Sequence, residues 1–282
     1  MADRTKLPSP ADRLTLGPGL KVSPLCVGAV GTPGVVSAAF EAGINFFFLT
    51  ADLHWPMYEP LRKGLIDLLK KKGRRDEVVV AVAAYVTQPD FCEAPFEEVI
   101  EAVPGLERID VAIAGGAYGH ELSGRLPIYA RHRRTGFCGI RAIGASFHQR
   151  TTASWAISER LVDLALIRFN AKHVGARADL FPALPARRPL LYNFKSTYGY
   201  VAPERLDALG LHGDSWRPTP ADHYRFVLSQ PQFDGLLCAP MREREVTELS
   251  DALLQGPLSQ ADGAYLERIA KADGPSALQG DD

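Results

Sequence analysis

Cysteine is scarce in this chain, with four in 282 residues. Cys26, Cys92, Cys138 and Cys238 stand far apart with no CxxC pair, so neither a disulfide framework nor a zinc ribbon is expected. Unpaired thiols fit a reducing compartment, and a cytoplasmic location is the expectation. Long apolar runs are missing too. None approaches the roughly 18 residues a membrane helix needs, so no membrane span is expected. The opening MADRTKLPSP is polar and lacks the apolar stretch of a secretory leader. There is no excess of either charge: Lys plus Arg number 32 and Asp plus Glu 33, a net charge of −1. That balance argues against a nucleic-acid partner, which calls for a basic stripe. A GxGxxG phosphate loop is also lacking. Gly28, Gly31 and Gly34 follow the first apolar run at GxxGxxG spacing instead, which disfavours a doubly wound dinucleotide fold.

What the sequence does contain is a period. Short apolar runs recur at Pro24–Val30, Ile44–Leu49, Val78–Ala84, Ile109–Ala114, Gly139–Ala145, Val162–Phe169, Pro189–Phe194 and Asp234–Cys238. They are nearly continuous in apolar residues, as strands covered on both faces are. Helical spacing lies between them. Leu61, Leu65, Leu68 and Leu69 share one face before Lys70, Lys71, Lys72 and Gly73, a cationic stop followed by glycine. Phe96, Val99, Ile100 and Val103 repeat the pattern. Eight strands alternating with helices predict an α/β fold, a (β/α)8 TIM barrel. Arg13–Leu16 and Leu20–Val22 around Gly17-Pro18-Gly19 predict a short N-terminal β-hairpin. The chain reads as one domain over 1–282, with the hairpin in 1–22 and a flexible tail in 272–282.

Several segments, in order, resemble the aldo-keto reductases. They are Gly19-Leu-Lys-Val-Ser-Pro24, Glu41-Ala-Gly-Ile-Asn-Phe-Phe47, Thr50-Ala-Asp52, Arg75-Asp-Glu-Val-Val79, Ile109-Asp110 and Gly139-Ile-Arg-Ala-Ile-Gly144 with Ser146. The resemblance spans roughly residues 13–255 and implies the barrel. In that family an Asp, Tyr, Lys and His serve hydride transfer from NADPH to a carbonyl. The resemblance puts Leu49, His54, Ala83 and Gly115 at those four positions, with Phe48 and Leu53 in place of the first two if no one-residue insertion is assumed. It puts Phe147, Leu166, a residue near Asn193, and Leu249 where the family contacts its cofactor. Ser146 and Arg242 are the cofactor-binding remnants it leaves. NADP(H) is therefore not firmly implied, and ordinary carbonyl reduction is not the expectation.

Barrel enzymes build their sites at the C-terminal strand ends. His54, His148 and Lys195 lie at such ends and are the candidate catalytic residues, His54 as acid or base. Lys195 could form a Schiff base or hold an anion, or be a plain loop lysine. Arg168, Tyr85, Tyr118, Asn170 and Asn193 are the candidate substrate-binding residues. Arg168 lies two residues beyond Leu166 in an apolar strand, so alternation turns it inward. It then needs an anion, either a ligand or an acid such as Asp163 or Asp110. Asp52, His54, His148 and His173 carry metal-ligand chemistry but lack an HxH or HExxH pairing, and no metal site is expected. The Gly115–Gly119 loop reads as flexible, and the basic run Arg131–Arg134 as a solvated helix end.

Three functions fit this reading. The first is a repurposed enzyme acting on a small anionic molecule at the barrel mouth. The second is a residual NADP-dependent oxidoreductase. The third is a non-catalytic barrel that binds a ligand or a partner protein.

Overall fold

Each of the eight apolar runs forms a strand in the computed structural model, which describes residues 5–211 and 215–273. A hairpin comes first, with β1 (Leu14–Gly17) antiparallel to β2 (Leu20–Val22). Then come β3 (Leu25–Val27), β4 (Phe46–Thr50), β5 (Val79–Ala84), β6 (Val111–Ala114), β7 (Ala142–Phe147), β8 (Leu164–Arg168), β9 (Leu190–Phe194) and β10 (Gly235–Cys238). These pair in parallel and in sequence order, and β10 closes on β3, making a (β/α)8 barrel. The helices are α1 (Gly34–Glu41), α2 (Glu59–Leu69), α3 (Arg74–Glu77), α4 (Ala94–Ala102), α5 (Gly119–Thr135) and α6 (Arg150–Ser158). They continue with α7 (Ala176–Asp179), α8 (Pro203–Ala208), α9 (Pro220–Leu228), α10 (Glu243–Leu254) and α11 (Gln260–Ala272). Of the tail expected at 272–282, Ala272 ends α11 and Asp273 follows in a turn, while 274–282 lie outside the described residues. Among the described residues no helix is long and apolar enough to cross a membrane.

The register fixes which side chains fill the barrel. Residues paired across parallel strands point to the same side, and alternate residues to opposite sides. One set runs through Leu237, Cys26, Phe46 and Val79, and through Gly144, Leu164 and Leu190. This set is the inner one, because Phe46 of β4 meets Tyr192 of β9 across the barrel, edge to face at 5.7 Å. Tyr192 donates its hydroxyl to the Ser23 carbonyl at 2.6 Å, at the N-terminal end. Gly235 makes room for that ring, since a Cβ there would stand 2.6 Å from it. The other set faces the helices: Phe169, just beyond β8, packs on Phe181, Phe226 and Phe233.

Charges close the N-terminal end in a repeated form. Asp110, ahead of β6, accepts from the Val80 amide at 2.8 Å and from Arg75 and Arg141 at 2.9 and 2.6 Å. Asp163, ahead of β8, accepts from the Ile143 amide and Arg133. Asp234, ahead of β10, accepts from the Leu191 amide and Arg188. Each aspartate thus ties the start of the preceding strand and neutralises an arginine. Arg133 belongs to the basic run read as solvated. Its neighbour His132 is instead buried, 4.3 Å from the Phe137 ring, because the chain turns at the left-handed Gly136 and brings Phe137 back onto the last turn of α5.

His223 of α9 is fully buried, edge to face with Tyr200 at 5.8 Å, and neither ring nitrogen has a partner among the described residues. Burial pushes its pKa down to about 4, against a smaller opposing pull from Asp222. The unfolded chain therefore binds a proton that the folded chain refuses. Stability is complete above an unfolded value of about 6.5 and falls as pH drops from there towards 4, by roughly 3 kcal/mol at most. Denaturant unfolding of wild type and His223→Phe at pH 7 and pH 4.5 checks this. The wild type is expected to lose more stability between the two pH values than the variant.

Candidate active site at the barrel mouth

The inward positions near the C-terminal end are Thr50, Ala83, Ser146, Leu166, Arg168 and Phe194. Arg168 is the only charged residue among all inward strand positions. It is half-buried, and its register partner on β9 is Phe194. Asp110 and Asp163, the acids considered for it from the sequence, are at the opposite end with other arginines. No carboxylate among the described residues pairs with Arg168. His148 lies in the bend just past the end of β7, and its ring meets Phe194 at 5.4 Å, nearly perpendicular. Arg168 and Phe194, register partners on β8 and β9, and His148 at the end of β7 thus gather at one side of the mouth.

Two loops raise the positive charge above this group. Asn170 donates to the Lys195 carbonyl at 3.0 Å and accepts from the Lys172 and His173 amides, locking the β8 and β9 loops together. The imidazole of His173 stands 5.5 Å from the Tyr198 ring. Its pKa is lowered, first by burial and then by Arg168, Lys172, Lys195 and Arg150. Arg150 also pairs with Asp179 at 2.8 Å. Lys195 is exposed and holds a left-handed backbone, φ 59°, a conformation that costs a non-glycine residue about 1 kcal/mol or more.

The other candidates divide between a second cluster, the frame and the periphery. His54 starts the turn Trp55–Tyr58, its ring edge to face with Tyr85 at 5.2 Å. Asp52 anchors this pair by accepting from the Tyr85 and Val86 amides at 2.6 and 2.9 Å. Burial, with help from Asp52, pushes the Tyr85 hydroxyl up to about 12, so it is a neutral hydrogen-bond donor. Tyr85 covers Gly115, where a Cβ would stand 2.8 Å from the ring. The glycine loop read as flexible is held: Ser146 Oγ accepts from the Gly116 amide, and the fully buried Arg125 donates to the Ala84 and Gly115 carbonyls. Tyr118 is exposed at the start of α5.

Two readings change. Asn193 faces the helices, not the mouth, because its parity is that of Leu191. Its amide donates to the Ile167 and Phe169 carbonyls and its oxygen accepts from Ser196. Asn170 is likewise wholly buried, with both polar atoms engaged in the loop lock. Leu49, which the resemblance sets at the family's Asp position, faces outward; Phe48, the alternative for that position, faces inward with Thr50. Phe194 was missed although it lies two residues beyond the inward Tyr192. Lys172 carried no sequence signal.

A separate cleft of about 1110 Å³ lies along α9 and α10. Its guanidiniums are Arg217, Arg225 and Arg244. The first two pair with Asp207 and Asp222, and the third lies 3.8 Å from Glu248. Glu245, Asp251 and Asp262 line it as well, while Arg242, exposed just before α10, does not. With more carboxylates than guanidiniums, this cleft does not fit the phosphates of NADP(H). No cluster of three or more His, Cys, Asp or Glu able to hold a metal occurs among the described residues, and Asp52, His54, His148 and His173 do not assemble into one.

A barrel with an opening hairpin and a mouth at the C-terminal strand ends defines the class, and solved structures sharpen it. The holo form of an aldo-keto reductase from Bacillus halodurans superposes with a TM-score of 0.69 at 13% identity, covering 95% of this chain and 99% of that one. An aldo/keto reductase from Brucella melitensis gives 0.65 at 13% identity, with 92% and 99% covered. A thermostable aldo-keto reductase solved with the inhibitor epalrestat gives 0.66 at 17% identity, with 92% and 99% covered. No protein-family model and no curated protein matches the sequence. The fold is that of the aldo-keto reductases.

The depressed His173 supplies a probe of the mouth. An anion bound among Arg168, Lys172 and Lys195 cancels part of the charge that holds its pKa down. Titration of the His173 ring by NMR is expected to give a higher pKa in 20 mM phosphate than in chloride of the same ionic strength, roughly half a unit or more. No difference means that phosphate does not bind there.

Proposed function

We propose that this chain is a divergent aldo-keto-reductase-like barrel, repurposed from carbonyl reduction with NADPH to act on a small anionic molecule at its mouth. The observation that carries the reading is the single inward charge of Arg168, with no carboxylate partner among the described residues. A half-buried guanidinium left without an anion costs up to several kcal/mol, which a ligand carboxylate or phosphate would offset. Lys172 and Lys195 add to the same potential. Against a cofactor-driven reaction stand the positions that the resemblance assigns to the tetrad, with His54, Ala83 and Gly115 in place of its Tyr, Lys and His, and a cleft richer in acid than base. A cytoplasmic setting rests on the four unpaired thiols.

In this reading Arg168 orients the anion with its planar fork. His148, at the same side of the mouth, and His54, on the Tyr85 side, are the two groups able to carry a proton between the ligand and water. Tyr85 offers a neutral hydroxyl to a developing oxyanion. Lys195 adds charge at the rim.

Calorimetric titration with acetate and inorganic phosphate tests the proposal. Arg168→Met is expected to weaken anion binding tenfold or more while shifting stability by about 1 kcal/mol or less. An unfolded variant, or unchanged binding, overturns the anion site. NADPH is expected to bind with Kd in the millimolar range, about −4 kcal/mol. Micromolar binding favours the NADP-dependent reading instead.

A further inference from the structure

Resting on that anion site, we propose that its ligand is an aromatic carboxylate, with its ring against Phe194 and its carboxylate on Arg168 beside His148. Three features of the group point to this chemistry. First, Arg168 and Phe194 are register partners on adjacent strands, so an anion at one is within a ring's width of the other. Second, the layer beneath is apolar and filled on these two strands: Leu166 and Tyr192 are the buried inward neighbours of Arg168 and Phe194. Third, His148 already meets Phe194 edge to face at 5.4 Å, an aromatic arrangement that a further ring extends.

The choice of carboxylate follows from the donor set. One guanidinium presents two parallel N–H groups that match the two oxygens of a carboxylate. A dianionic phosphate, with three terminal oxygens, calls for several donors converging at one depth. Here the further ammonium groups stand in the loops above, that of Lys195 being exposed. The rim agrees with an apolar ligand body. Leu53 and Met57 after β4, and Phe91 after β5, leave large side chains more than half exposed at the same end of the barrel.

The test is calorimetric titration of the full chain with acetate, cyclohexanecarboxylate, benzoate and phenyl phosphate. Benzoate is expected to bind about fivefold or more tighter than cyclohexanecarboxylate, which has nearly the same size without a π-face. Phe194→Leu is expected to erase that preference while leaving acetate binding unchanged. Arg168→Met is expected to weaken every carboxylate. Equal binding of benzoate and cyclohexanecarboxylate in the wild type overturns the aromatic assignment but spares the anion site. Binding of phenyl phosphate in clear preference to benzoate overturns the carboxylate assignment alone. Absence of binding by all four probes sinks both the inference and the reading beneath it. Should Arg168→Met fail to fold, Arg168→Lys takes its place. It keeps the charge without the fork and is expected to weaken benzoate severalfold, and an unchanged benzoate affinity would count against the proposal.

Discussion

In a closed parallel barrel, the two-residue period of each strand decides which side chains share the interior, and no residue can change sides without shifting a whole strand. The site depends on this constraint. It sends Phe46 and Tyr192 into contact across the barrel and Phe169 out to the helices. It also turns Arg168 inward on β8, where every other inward strand position is uncharged. Its neighbour Phe194 follows from the same parity on β9, and the ring of His148, just past the end of β7, meets Phe194.

The two ends of the barrel treat charge differently. At the N-terminal end Asp110, Asp163 and Asp234 each hold a strand amide and at least one arginine, so cation and anion are matched within the fold. A matched, buried network of this kind fixes geometry more than it adds stability. At the mouth the balance is unequal. Among the described residues no carboxylate pairs with Arg168, and Asp52, on the His54 side, is taken up by three main-chain amides. Stability at one end and unmet charge at the other is the division that barrel enzymes use.

Most of the fold was legible in the sequence, since continuous apolar runs of strand length, spaced by helical repeats, have few architectures open to them. The inward turn of Arg168 was legible for the same reason: Leu166 and Arg168 share a parity. What failed was register at the ends of strands. Asn193 was read as lining the mouth, but it lies one residue from the inward Phe194, and one residue is the whole difference between inside and outside. Asn170 failed for another reason. A loop asparagine looks the same in sequence whether its amide meets a ligand or, as here, ties Lys195 to His173. Arg125 gave no sign at all, because a helical arginine near Leu122 and Leu126 reads as solvated until the helix is docked.

The central claim is that the unmatched charge of Arg168 is there for an anion from outside. Anomalous diffraction from crystals soaked in selenate tests it most directly, because selenium marks a small oxyanion by position alone. The account predicts a peak within hydrogen-bonding distance of the Arg168 guanidinium, flanked by His148 and the Lys195 loop. Selenate found only in the cleft along α9 and α10, with the Arg168 guanidinium resting on a carboxylate of its own chain, would contradict it.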